Sequence, residues 1–255
     1  MFDKENTIYT SLYQAKKKGE KKFIVLIDPD KLRLGKMNLV IEESIKAGVD
    51  YFFIGGSLIV NDMLDKVLKD IRSACDIPMI LFPGNSFQLS WKADAILFLS
   101  LISGRNADLL IGKHVISAPF IKMSPLEVIS TGYMLIDGGI QTSVSYMSNT
   151  SPIPADKDDI ALCTAIAGEM LGLKMIYMDA GSGALQPIRK SMIETVSAGI
   201  NIPLIIGGGI DNPDKVRENV KAGADAIVVG TAIEKDPGMI CEMAEAVHHT
   251  KSVFN

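Results

Sequence analysis

Acids stand on both sides of a proline in "LIDPDK" (Leu26 to Lys31), and a third follows a tyrosine in "YMDAGSGA" (Tyr177 to Ala184). Asp28 and Asp30 form the kind of carboxylate pair that suits Mg²⁺, a hard cation held by one or two carboxylates together with substrate phosphate oxygens. Capping of nearby backbone is the alternative use of the same pair. Ser57, after the Gly pair of "FIGGSL", is placed to meet the same ion or a diphosphate. Asp179 can orient or deprotonate a hydroxyl, Tyr177 can donate to a hydroxyl or phosphate, and Ser182 can donate to a phosphate oxygen. An Asx turn is the plainer reading of Asp179. In "LIIGGGI" and "VVGTAIE" the glycines Gly207, Gly208 and Gly230, with Thr231, remove side chains where a strand ends. Bare backbone of this sort either makes tight turns or lets N–H groups close on a phosphate. No metal-type His/Cys spacing and no nucleophile–His pairing occurs in the chain, so covalent catalysis is not expected.

These residues need a frame that brings strand ends together. Nearly continuous apolar runs fall at 23–27, 51–54, 79–82, 95–99, 133–136, 175–178, 204–206 and 226–229. Continuity rather than alternation marks strands covered on both faces. Helical stretches lie between most of them, with Pro213 just inside one start and Gly48, Gly199 and Gly223 closing three ends. Eight such units predict a single-domain (β/α)8 barrel over residues 1–255, with an N-terminal helical segment to about residue 20 and a phosphate site at the carboxyl ends of strands six to eight. Residues 230–234 read as a short helical turn ahead of a last long helix, and 148–159 as a long loop. Asn85 and Ser86 are expected to cap a helix after the third strand. Most of Phe52, Phe53, Phe82, Phe87, Trp91 and Phe98 are expected in the core, with some lining an apolar groove. His114 reads as a helix-surface residue, and His248 and His249 fall in a frayed tail.

Composition narrows the class further. A formal charge of −4, with the N-terminal lysines Lys16 to Lys18, Lys21 and Lys22 as the main basic cluster, gives no nucleic-acid footprint. Three isolated cysteines, Cys75, Cys163 and Cys241, read as small buried residues of a reducing compartment. The apolar runs are too short to span a bilayer. A cytoplasmic enzyme is expected, with transient membrane-surface contact and a homo-oligomer as further expectations.

Taken in order, "LIDPDK", "FIGGS", "FPGN", "SGRN", "GYMLIDGG", "YMDAGSGA", "IIGGGI" and "VGTAIE" resemble the geranylgeranylglyceryl phosphate synthase family and its heptaprenyl-using relatives, in the subgroup with "AGSGA". The resemblance runs through essentially the whole chain. It implies a modified (β/α)8 barrel that joins the C3 hydroxyl of sn-glycerol 1-phosphate to a polyprenyl diphosphate, with Mg²⁺ as cofactor. It places Asp28 and Ser57 at the metal, and Tyr177, Met178, Asp179, Ala180, Gly181, Ser182, Gly183, Gly207, Gly208, Gly230 and Thr231 at the glycerol phosphate, with Tyr177 and Asp179 catalytic. Asp179 stands where many members carry Glu, and Leu26 where some carry Lys. The alternative is another phosphate-binding barrel, an isomerase or lyase, which has no need of an acidic site at strand one.

Overall fold

A computed structural model describes residues 7–31, 34–58, 60–61 and 63–250. The chain order is α1 (Thr7–Lys18), β1 (Lys22–Ile27), α2 (Leu34–Ala47), β2 (Tyr51–Ile54), α3 (Leu64–Ala74), β3 (Met79–Leu81) and β4 (Ala95–Leu101). A π-helical turn (Asp108–Gly112) then runs into α4 (Lys113–Met123), followed by β5 (Glu127–Leu135), α5 (Ser143–Ser148), α6 (Asp158–Met170) and β6 (Met175–Asp179). The last third is α7 (Lys190–Gly199), β7 (Leu204–Gly207), α8 (Pro213–Lys221), β8 (Ala226–Val229), α9 (Thr231–Lys235) and α10 (Met239–His248). The eight strands pair in parallel, each with the next and β8 with β1, into a closed barrel.

Period-two geometry divides each strand between two cores. Ile24, Phe53, Ile80, Leu97, Ile129, Met175, Ile205 and Val228 fill the barrel, whereas Val25, Phe52, Ile96, Ile176, Met178 and Ile206 pack outward with the helix residues. Both faces are dry, which is why the runs read as continuous. Ile8 and Leu12 of α1 join the inner core and plug the amino-terminal end of the barrel. Two of the free N–H groups at the start of α1, on Ile8 and Tyr9, donate to the Glu127 carboxylate at 2.8 Å each.

One crossover departs from the regular plan: no helix joins β3 to β4. Asn85 caps no helix; its side-chain oxygen accepts from the Phe87 N–H at 2.8 Å in an Asx turn. The outward face of β4 therefore lacks one neighbour, and a groove takes its place. Phe87 and Trp91, expected mostly in the core, are exposed in this segment. Strand β5 also begins at Glu127 rather than Tyr133, a start hidden in the sequence because Ser130, Thr131 and Gly132 interrupt the apolar run; a Cβ at Gly132 would lie 2.8 Å from Ile102 Cδ1 and Ile176 Cδ1. The cysteines correct the sequence reading as well, with Cys163 and Cys241 exposed and Cys75 half-buried. Among the described residues no helix is long and apolar enough to cross a membrane.

Candidate active site

A cavity of about 690 Å³ lies at the carboxyl ends of the strands. Its floor is aromatic. Phe53, Tyr133 and Tyr177 point inward from their strands and Phe82 joins them from just past β3, and neighbouring ring centroids lie 5.4–6.2 Å apart. Gly207 makes room for this layer, since a Cβ there would sit 2.5 Å from the Tyr177 hydroxyl. Register sets the next step: Leu135 pairs with Asp179, and Tyr133 with Tyr177. The Tyr133 hydroxyl donates to Asp179 Oδ2 at 2.6 Å, and the Gly181 N–H donates to Oδ1 at 2.7 Å. Burial raises the Asp179 carboxyl above its ordinary range, and these two bonds oppose it. Burial, with the Asp179 charge adding to it, holds both tyrosines well above theirs, so each is a neutral donor.

Three glycine turns wrap one side of this acid. Gly208 adopts φ +82°, and a Cβ there would fall 2.6 Å from Asp179 Oδ1 and 2.7 Å from the Gly181 N–H nitrogen. Gly181 (φ +88°) passes so near Thr142 that a Cβ would lie 2.7 Å from its Oγ1. Ser182 and Thr231 meet across the site, Oγ to Oγ1 at 3.1 Å, and Gly230 introduces the first turn of α9.

The opposite rim carries Asp28 and Ser57. Asp28 is 6% exposed, accepts from the Asp30 N–H at 3.0 Å and pairs with Lys31 Nζ at 3.1 Å. Gly56 leaves space beside the oxygen that Lys31 meets; a Cβ there would stand 2.9 Å from Asp28 Oδ2. Asp30 does not share the site, for its carboxylate accepts from the Asn61 N–H at 3.2 Å and ties the loop after β1 to the loop after β2. Among the described residues no cluster of three or more His, Cys, Asp or Glu side chains gathers anywhere. One carboxylate and one hydroxyl facing a cavity nonetheless fit Mg²⁺ that arrives with phosphate oxygens.

From the rim the cavity continues over β4. Ile96 and Phe98 form one wall, and His114, Ser117 and Ile121 of α4 form the other. This is where the absent crossover helix would have packed. His114 is thus not a surface residue: it is 9% exposed, its ring lies edge-on to Phe98 at 4.3 Å, and burial holds it below its ordinary pKa as a neutral imidazole.

Of the residues singled out from the sequence, Asp28, Ser57, Tyr177, Asp179, Gly181, Ser182, Gly183, Gly208, Gly230 and Thr231 all line the one cavity. Met178 and Ala180 do not, because period two turns their side chains into the outer core. Gly207 acts from below by clearing space. Tyr133 and Glu234 were missed. Tyr133 meets Asp179 only through the β5–β6 register, and Glu234 lies past the last glycine motif. Burial raises the Glu234 carboxyl, with Lys31 opposing and Asp28 adding to the rise.

Known proteins share this architecture. The geranylgeranylglyceryl phosphate synthase of Chitinophaga pinensis is 57% identical over 249 residues, 98% of this chain and 99% of that one. The enzyme of the same name from Methanopyrus kandleri is 40% identical over 88% of this chain and 93% of its own. The crystal structure of (S)-3-O-geranylgeranylglyceryl phosphate synthase from Thermoplasma acidophilum in complex with substrate sn-glycerol-1-phosphate superimposes with a TM-score of 0.89, at 29% identity, over 94% of this chain and 98% of that one. The model of the PcrB family matches residues 16–250, and the chain belongs to that family.

Proposed function

We propose that this protein joins the C3 hydroxyl of sn-glycerol 1-phosphate to C1 of a polyprenyl diphosphate, geranylgeranyl or another length, as a Mg²⁺-dependent prenyltransferase. The observation that carries the reading is the buried Asp179, fixed by Tyr133 and Gly181 between a glycine-lined pocket and a continuous apolar groove. Few reactions need an anion grip, a base and a long dry trough around one point.

In this reading the glycerol phosphate sits with its phosphate against the turns at Ser182, Gly183, Gly208, Gly230 and Thr231, whose glycines and two hydroxyl residues line the cavity. Its C3 hydroxyl then reaches Asp179. The carboxylate accepts the proton as the oxygen bonds to C1 of the donor, and the C1–O bond to diphosphate breaks with its electron pair leaving on the diphosphate. A raised carboxyl pKa makes a stronger base than a free aspartate. Tyr177, neutral and beside it, donates to the glycerol phosphate. Asp28 and Ser57 would hold Mg²⁺, which stabilises the charge gathering on the departing diphosphate. Lys31 adds a cation at the same rim. The prenyl tail lies along Ile96, Phe98 and Ile121, sheltered from water that would otherwise compete for the allylic carbon.

The test is a product analysis. Incubation with sn-glycerol 1-phosphate, Mg²⁺ and prenyl diphosphates of graded length should yield an ether-linked prenylglyceryl phosphate and one diphosphate per turnover, detected by mass spectrometry. Turnover of none of these donors would refute the assignment.

A further inference from the structure

The segment that replaces the crossover helix between β3 and β4 carries Gln88, a long polar side chain that is only 4% exposed. Its amide oxygen accepts from the Gly84 N–H at 3.0 Å, and its amide nitrogen donates to the Gly56 carbonyl at 3.0 Å. A buried carboxamide costs desolvation unless both ends are bonded. Here each end is bonded to a different loop.

Those loops touch with no side chain between their backbones. A Cβ at Gly84 would lie 2.4 Å from the Gly56 carbonyl oxygen and 2.9 Å from that of Ser57, and one at Gly55 would lie 2.0 Å from the Phe82 carbonyl oxygen. Gly56 in turn lies against Asp28. The stretch 55–57 therefore has no side chain of its own to fix it until Ser57. A glycine peptide is free to rotate unless an outside group holds it, and the Gln88 amide is such a group. Rotation about the Gly56–Ser57 peptide would move the Ser57 hydroxyl and uncover or block Asp28.

We propose that Gln88 is a positioning residue for the donor end of the cavity: it holds the Gly56 carbonyl so that Asp28 and Ser57 keep one geometry toward a diphosphate and its divalent cation. The inference rests on the donor-end reading given under Proposed function. It assigns to the helix-free segment the task of locking the metal-side loop, besides opening the groove.

Calorimetric titration of the full-length protein with inorganic diphosphate and Mg²⁺ tests it, alongside KM for both substrates and the melting temperature. Gln88→Met removes both bonds. Gln88→Glu keeps the acceptor for Gly84 but sets an oxygen against the Gly56 carbonyl, and it carries the test if the Met variant folds poorly. Both should weaken Mg²⁺–diphosphate binding about tenfold, the scale of one net hydrogen bond, and raise the Mg²⁺ needed for half-maximal rate. KM for glycerol phosphate should stay within about twofold, because the Gly208 side of the cavity is untouched. Unchanged diphosphate binding in both variants, or equal loss for both substrates, would overturn the proposal. Asp28→Asn, run in parallel, separates the two levels. If it weakens diphosphate binding while the Gln88 variants do not, only the role of Gln88 falls. If it leaves diphosphate binding untouched, the donor-end reading falls and takes this role with it.

Discussion

At the scale of single residues, the Asp179 carboxylate is defined by what surrounds it. Burial raises it, and the Tyr133 hydroxyl and Gly181 N–H bring it part of the way back. The proposed chemistry needs the ionised form, so activity rises with pH through the Asp179 pKa, above the ordinary aspartate range. Tyr133→Phe deletes one opposing bond and leaves burial in place. The carboxyl then rises further, and the acid limb of the kcat–pH profile should move to higher pH with the barrel still folded. A limb that stays put would show that Tyr133 does not tune this acid. Asp179→Asn keeps size and most hydrogen bonding but cannot take a proton; turnover should fall about a hundredfold or more, the usual worth of a positioned base. Gly208→Ala should be nearly as damaging, because the added Cβ meets Asp179 Oδ1 and the Ala180 nitrogen at a positive φ. Steady-state kinetics of the purified variants, each checked for its melting temperature, decides both.

At the scale of elements, ionic ties at the amino-terminal end hold the frame and leave the opposite end free for chemistry. Asp50, between α2 and β2, accepts from the Phe23 N–H at 2.8 Å, from Lys22 Nζ at 2.9 Å, and meets His248 Nε2 at 2.9 Å. Burial pushes this carboxyl up, yet the bonds from His248, Lys22 and Phe23 together outweigh it, and the net shift is downward from 3.8. A lowered folded-state value stabilises the fold above the unfolded value and loses that stability as pH falls through the folded one. Asp50→Asn should therefore be less stable at neutral pH, by about 1–3 kcal/mol, and the gap to wild type should close in acid. A constant gap from neutral pH down to acid would contradict this. His248 belongs to that tie and not to a frayed tail. Such details show where sequence legibility ends. Continuous apolar runs located every strand, and the Pro213 and Gly223 signals placed α8, because those cues are local. The start of β5 was hidden by Ser130 and Thr131, and Thr131, fully buried, satisfies itself by donating to the Ile129 carbonyl at 2.9 Å. The Tyr133–Asp179 bond depends on which residues lie side by side across two strands. No spacing within either segment encodes that.

At the scale of the whole molecule, one cavity has two unlike ends with the buried Asp179 carboxylate between them. The glycine turns after β6, β7 and β8 form one end, Asp28 and Ser57 the other, and the groove over β4 leads away where the barrel omits a helix. The glycine and acid motifs were legible in the sequence. The groove was not, since an omitted helix leaves no motif, and His114 in its wall read as an ordinary surface histidine. The division between ends can be tested with one variant. Asp28→Asn keeps the shape of the group and its acceptor for the Asp30 N–H while removing the charge. With melting temperature and prenyl transfer followed across a Mg²⁺ titration, the folded variant should turn over about a hundredfold more slowly, recover part of the loss at high Mg²⁺, and keep the wild-type KM for glycerol phosphate. A folded Asp28→Asn protein with undiminished turnover and unchanged Mg²⁺ demand would contradict the two-ended site.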